Sequence, residues 1–290
     1  MIWIPKIRAK RILTNLVFYH KMEKNDQQER IVMEDEREVM EVAMEAGHIL
    51  LENGAEIFRV EETINRICKH YGITSGNAFI LSNGIFATSG SMAEKSFAKV
   101  QHIPVSGSHL NRVAAVNQLS REIEENRYTI EEVRKRLEQI RTMPGKSRHM
   151  LVFASGVGSG AFCYLYGGSL IDCLAAFMTG LILYLFVIFV STPFLSKMVS
   201  GIAGGAVATM ACMIFYHLGM GEHLNQMIIG SIIPLVPGVA FTNAIRDITD
   251  ENYIAGAVRM LDAMLVFFGI AMGVGFVFTV FQRLTGGGML

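Results

Sequence analysis

A chain of 290 residues with 26 basic and 26 acidic side chains carries no formal net charge, and no basic tract stands out that would hold nucleic acid. The averages, 51% hydrophobic and 18% charged, resemble those of a soluble protein but conceal a division: residues 1–148 carry 22 Lys/Arg and 20 Asp/Glu, residues 149–290 only 4 and 6. Cys68, Cys163, Cys173 and Cys212 lack CxxC spacing, which argues against a zinc site or disulfide framework and leaves them as small apolar residues.

Residues 1–34 interleave basic side chains with Trp3, Ile4, Ile7, Ile12, Leu13, Leu16, Val17 and Phe18. Without an uninterrupted apolar run or a small-residue cleavage site, a secretory signal peptide is not expected. The segment reads either as amphipathic, lying on an anionic membrane face, or as a frayed or locally packed terminus.

Residues 35–145 read as an α+β domain. Val39, Val42, Ala43, Ala46, Ile49 and Leu50 form a helical stripe from Asp35 to Glu52, Gly54 offers a turn, and Ile57 to His70 continues as a second helix. Ala78 to Ser89 carries β-branched and aromatic residues divided by Asn83-Gly84, a hairpin signal, and Phe97 to Pro104 alternates as a further strand. Leu110 to Glu125 and Thr129 to Arg141 read as helices, the latter capped by Thr129 with Glu132 three residues on. Asn53, Glu56 and Arg59 share one helical face near Gly54 and form a candidate polar cluster, alongside the plainer readings of surface polarity or an internal hydrogen-bond network. His70, His102 and His109 lack metal-ligand spacing, and no HExxH, P-loop or dinucleotide-binding glycine pattern occurs, so no metal or cofactor is expected. Ser82-Asn83-Gly84 and Ser106-Gly107-Ser108-His109 invite a serine-hydrolase reading, but no G-x-S-x-G elbow supports it.

Pro144-Gly145-Lys146 marks a boundary, and 146–290 reads as an all-α membrane domain of five predicted transmembrane helices, about 149–167, 169–190, 198–217, 224–242 and 254–281. Each is long enough to cross a hydrocarbon core roughly 30 Å thick. Lys146, Arg148, Lys197 and Arg246 flank alternate connections, while the Gly167-Gly168 turn and Gly219 to His223 hold no Lys or Arg. The bias predicts a multi-pass cell-membrane protein with its N-terminal domain in the cytoplasm and its C-terminus outside, Arg283 being the one dissenting charge.

Ser231 to Asp262 is the most informative stretch. Pro234 and Pro237 interrupt the backbone ladder of the fourth span and Gly238 lets the chain turn. Broken backbone in a membrane is tolerated only inside protein or beside a water-filled cavity, so the break is a candidate translocation site. Asn243, Arg246 and Arg259 are candidate contacts for a small carboxylate substrate. Asp172 and Asp262 are candidate proton-coupling groups, because ionisable residues in spans are costly and usually functional. Arg259 and Asp262, three apart on one face, also fit a local salt bridge. A plain proline kink, with interfacial charges after it, is the alternative reading.

Three stretches together resemble the threonine/serine exporter family: LLENGAEIFRVEETINRICKHYG (Leu50 to Gly72), HLNRVAAVNQLSRE (His109 to Glu122) and IPLVPGVAFTNAIRDITDENYIAGAVRMLDA (Ile233 to Ala263). The resemblance covers about 35–282, and PLVPG, NAIRD and AGAVR together make it specific. It implies a secondary exporter subunit for small amino acids or dicarboxylates, such as threonine, serine or succinate. In split systems of that family the second module is a separate protein, so the resemblance implies a small multispan membrane partner, with homo-oligomerisation left open. It places Pro234, Pro237, Gly238, Asn243, Arg246, Asp247, Gly256 and Arg259 in the family's signature. Where the family often has Gly-Asp before the last span, this chain has Asp250-Glu251-Asn252. A membrane-anchored cytoplasmic hydrolase and a non-transporting scaffold are the competing readings.

Overall fold

The computed structural model describes residues 36–73, 77–89, 97–103, 109–125, 128–190 and 196–284. The amphipathic reading of 1–34 and the serines of Ser106-Gly107-Ser108 fall outside them. The chain divides into two compact units at the Met143–Pro144 junction.

The first unit opens with α1, over 36–52. Val39, Val42, Ala43, Ala46, Ile49 and Leu50 are buried as the helical spacing predicts, and so are Met40, Met44 and Leu51. Apolar residues therefore wrap most of the helix, which makes α1 the core element rather than a surface one. Helix α2 (Ile57–His70) buries Ile57, Val60, Ile64 and Ile67. The strands β1 (Asn77–Leu81), β2 (Gly84–Ser89) and β3 (Phe97–His102) form an antiparallel meander in the order β1-β2-β3.

The β1–β2 turn is Ser82-Asn83, one residue before the Asn-Gly signal, because Gly84 pairs with Leu81. Neither turn residue has positive φ, so the turn is not the left-handed type that Asn-Gly favours. Residues directly opposite share a face: Ile80, Ile85 and Gln101 lie on one, Phe79, Phe86 and Val100 on the other. Ile80 and Ile85 are buried, whereas Phe79, Phe86 and Val100 are exposed. Helices α3 (Leu110–Glu124) and α4 (Ile130–Arg141) complete the unit. The Thr129 side chain accepts from the Glu132 N–H and Glu132 reaches back to the Thr129 N–H, the expected capping box.

The second unit is entirely helical among the described residues: α5 (Arg148–Leu165), α6 (Leu170–Val190), α7 (Lys197–His217), α8 (Leu224–Ile232), a 3-10 turn (Ile233–Leu235), α9 (Gly238–Thr249) and α10 (Tyr253–Leu284). Helices α6, α7 and α10 are long and apolar enough to cross a membrane, and α8 with α9 makes a fourth if the bent pair is one span. Among the described residues three or four such helices thus stand beside the five expected. The difference lies in α5, whose 18 residues include Arg148, His149, Ser155, Ser159 and three glycines and are less apolar than α6, α7 and α10.

Helix α10 packs chiefly on α7 and α9, and α5 on α6 and α8. The α7–α10 seam is backbone on backbone. A Cβ at Gly205 would stand 2.6 Å from the Ile270 carbonyl oxygen and one at Gly269 2.6 Å from that of Met198, so these positions accept nothing larger than glycine without helix separation.

Five helices end in the same left-handed cap. The residue after each C-cap takes positive φ, its N–H and the next N–H returning to carbonyls three and five residues back: Gly54, Gly72, Gly167, Gly219 and Glu251. Among the described residues only α9, at Glu251, closes this motif without glycine.

Candidate functional site

Helix α8 stops at the prolines. Pro234 is the second residue of the 3-10 turn, Val236 is extended, and Pro237 (φ −79°, ψ 55°) forms a tight turn in which the Gly238 N–H donates to the Val236 carbonyl at 2.8 Å. The chain then restarts as α9 at 64° to α8. The break predicted from Pro234, Pro237 and Gly238 is therefore a change of direction rather than a kink within one straight span. Beside it, between Ile232, Val236 and the α10 residues Phe267, Val274 and Phe278, runs an apolar cleft of about 500 Å³.

Beyond the break, α9 turns through Glu251 into α10. Gly256 lets α10 approach closely: a Cβ there would meet the Ile248 amide nitrogen at 2.9 Å and the Ala244 carbonyl at 3.0 Å. Across this contact the Arg259 guanidinium donates to Asp247 Oδ2 at 2.7 Å, with the arginine side chain 11% exposed and the aspartate fully buried. Arg259 thus bonds Asp247 instead of the Asp262 that its i,i+3 spacing suggested. Asn243 is half-buried and Arg246 exposed, three apart along α9. Asp262 faces Lys197 of α7 at 3.7 Å and keeps 59% of its side chain exposed within the unit.

Asp172 occupies different surroundings. It is fully buried in the first turn of α6, where the Ser169 N–H and hydroxyl each donate to Oδ2 at 2.8 Å and the Asp172 N–H donates back to Ser169 Oγ. Oδ1 accepts from the N–H groups of Glu222 (2.6 Å) and His223 (3.0 Å), and His223 Nδ1 lies 2.8 Å from Oδ2. An ionised carboxylate is acceptor-only, and here its lone pairs are filled by donors from two connections. The group fastens the α7–α8 loop to the start of α6, at the same end as the Gly167 turn.

In the first unit, Glu56 and Arg59 form an ion pair near the start of α2. Asn53 does not join them: it is buried, its side-chain amide donates to the Ile49 carbonyl at 2.7 Å, and its Oδ1 has no hydrogen-bond partner. Sequence reasoning treated Asp247 only as part of a signature and did not weigh His223 at all. The twelve-residue interval from Asp247 to Arg259 and the fifty-one from Asp172 to His223 carry no periodic signal, since both pairs meet only through helix reversal.

A polar α+β unit followed by membrane-length apolar helices and a sharply bent helix pair defines an integral membrane protein. Residues 41–281 match the family described as "Putative threonine/serine exporter". The chain belongs to this transporter family. It is 24% identical to the threonine/serine exporter of Corynebacterium glutamicum over 82% of this chain and 50% of that protein. It is 27% identical to an uncharacterized protein of Schizosaccharomyces pombe over 58% of this chain and 22% of that protein. With the Klebsiella aerogenes protein named "Probable succinate transporter subunit YjjP" it shares 23% identity over 83% of this chain and 93% of that protein. The chain thus spans half the length of the Corynebacterium relative and less of the yeast one. No solved structure matches it.

Proposed function

We propose that this chain is the subunit of a secondary exporter that carries small amino acids or dicarboxylates, with threonine, serine and succinate as the first substrates to test. The observation that carries the reading is the 64° break at Pro234–Pro237, with Asn243 and Arg246 on the helix that follows it. A helix interrupted in this way frees backbone groups that only protein, water or a solute can satisfy. Arg246 supplies the countercharge for a carboxylate, Asn243 a neutral donor and acceptor, and the Asp247–Arg259 pair holds the corner in shape.

Outward transport against a gradient needs an energy source, and Asp262 is the proposed proton-coupling residue. Its side chain is open to exchange, whereas Asp172 is enclosed by donors that give it a fastening role. The proposed topology has five spans, α5 crossing as a less apolar helix packed against α6 and α8, with the first unit in the cytoplasm as Lys146, Arg148, Lys197 and Arg246 suggest. The word "subunit" in the name of the Klebsiella relative, which this chain covers almost end to end, supports a second small membrane protein as partner.

The test is efflux from proteoliposomes containing the tagged full-length chain, purified from its native membranes in mild detergent so that a companion comes with it. Vesicles preloaded with labelled threonine, serine or succinate are compared with and without an imposed pH gradient. Selective, gradient-dependent efflux supports the reading. No efflux of any of the three from verified, correctly inserted protein overturns it for these substrates.

A further inference from the structure

The first unit holds a cleft that the transport reading does not use. Its volume is about 330 Å³, within the range of small-molecule sites, and α1, β3 and α4 line it. Val42 and Ile49 of α1 supply apolar surface, both buried. Along the same helix Glu41, Glu45 and His48 line the cleft, each a turn or so from the next. Facing them are Lys99 and Gln101, two apart on β3 and hence on one side of the strand, and Arg134 and Arg141, two turns apart on α4.

Charges of both signs therefore meet across one concavity, and some are already neutralised. Arg134 pairs with Glu38 at 3.1 Å and Glu41 with Arg37 at 3.3 Å, both outside contacts that leave the cleft. Among the described residues Glu45, Lys99 and Arg141 have no ion-pair partner. His48 is fixed at the edge, its Nδ1 2.7 Å from the Gln101 amide nitrogen and its Nε2 3.7 Å from Glu52. Burial lowers the His48 pKa from 6.5, so at neutral pH the ring adds hydrogen bonding without charge.

We propose that this cleft binds a free α-amino acid as its zwitterion, with the carboxylate on Arg141 and Lys99, the ammonium on Glu45, and a short side chain against Val42 and Ile49. A dicarboxylate or phosphate meets the Glu45 carboxylate, and a polyamine meets three cations, whereas a zwitterion satisfies both ends. The inference goes beyond the exporter reading: it assigns a second, non-transporting amino-acid site to the polar unit, and occupancy there requires no flux.

The test is hydrogen exchange of the purified full-length chain in detergent, titrated with L-threonine, L-serine and succinate. Wild type, Arg141→Ala and Glu45→Gln are compared, both altered side chains being solvent-accessible to some degree, and folding is checked by thermal melting. Exchange is read locally because the exporter reading puts another threonine site in the membrane unit. The expected result is that threonine slows amides of α1, β3 and α4 in the wild type and needs a tenfold or higher concentration to do so in Arg141→Ala and Glu45→Gln. The same threonine dependence at these elements in both cleft variants, or exchange unchanged there in the wild type under saturating threonine, overturns the proposal. The exporter reading fails separately, through absent efflux, whatever this binding shows.

Discussion

The Arg259 guanidinium and the Asp247 carboxylate, one on each side of the corner between α9 and α10, are joined at 2.7 Å with both side chains nearly or fully withdrawn from solvent. Removing one partner leaves the other charge buried, which typically costs about 3–5 kcal/mol. Asp247→Asn and Arg259→Gln should each lower the melting temperature of the purified protein markedly. The double variant should recover much of the loss, because two neutral amides can bond to each other. Additive destabilisation in the double variant would show that the two side chains act separately.

Glu251 stands where four other helices of this chain use glycine. A non-glycine residue in the left-handed conformation costs roughly 1–2 kcal/mol, so Glu251→Gly should stabilise the protein by about 1 kcal/mol, read as a higher melting temperature. Efflux should be unchanged, since the side chain is exposed and lies past the break. A lower melting temperature would mean that Glu251 makes a contact worth more than its strain.

Asp172 and Asp262 separate a fastening role from a coupling one. Asp172→Asn loses acceptor capacity toward Glu222, His223 and Ser169 and should destabilise the protein while the pH-gradient dependence of efflux stays as in wild type. Asp262→Asn should do the reverse, keeping stability and losing gradient dependence. Unchanged gradient dependence in Asp262→Asn removes it as the coupling group.

His48 gives the first unit a pH dependence of known sign. Burial depresses its folded pKa below 6.5, so the folded state binds fewer protons than the unfolded state. Its contribution to stability is complete above pH 6.5 and is lost as pH falls through the folded value. Hydrogen exchange in α1 should therefore quicken on acidification below 6.5, after correction for intrinsic rates, and His48→Gln should flatten that trend. Equal pH dependence in the variant would assign the effect to groups other than His48.

Much of this architecture is legible in the sequence because the relevant signals are local. The α1 stripe, the Thr129–Glu132 cap and the prolines of the broken span each act within a few residues. The crossing of α5 is less legible, because the helix is apolar in outline but carries hydroxyls and glycines that pack against α6 and α8. The partner of Arg259 is hidden for a related reason. Arg259 has an acid at i+3, yet Asp262 stands on the exposed side of α10 while Glu251 folds α9 back to present Asp247. Likewise, the donors around Asp172 come largely from a loop fifty residues away, so only its improbable position in an apolar helix drew notice.

The central claim is that the corner after the broken span recognises a carboxylate through Arg246. Its most direct test is initial efflux of labelled threonine and succinate by wild type, Arg246→Lys and Arg246→Ala, reconstituted at equal abundance under the same pH gradient. Loss of a charge-assisted hydrogen bond worth about 1.5–3 kcal/mol predicts a fall of roughly ten- to hundredfold in Arg246→Ala, with partial rescue in Arg246→Lys. Wild-type efflux from Arg246→Ala would contradict the claim and move substrate recognition elsewhere in the membrane unit.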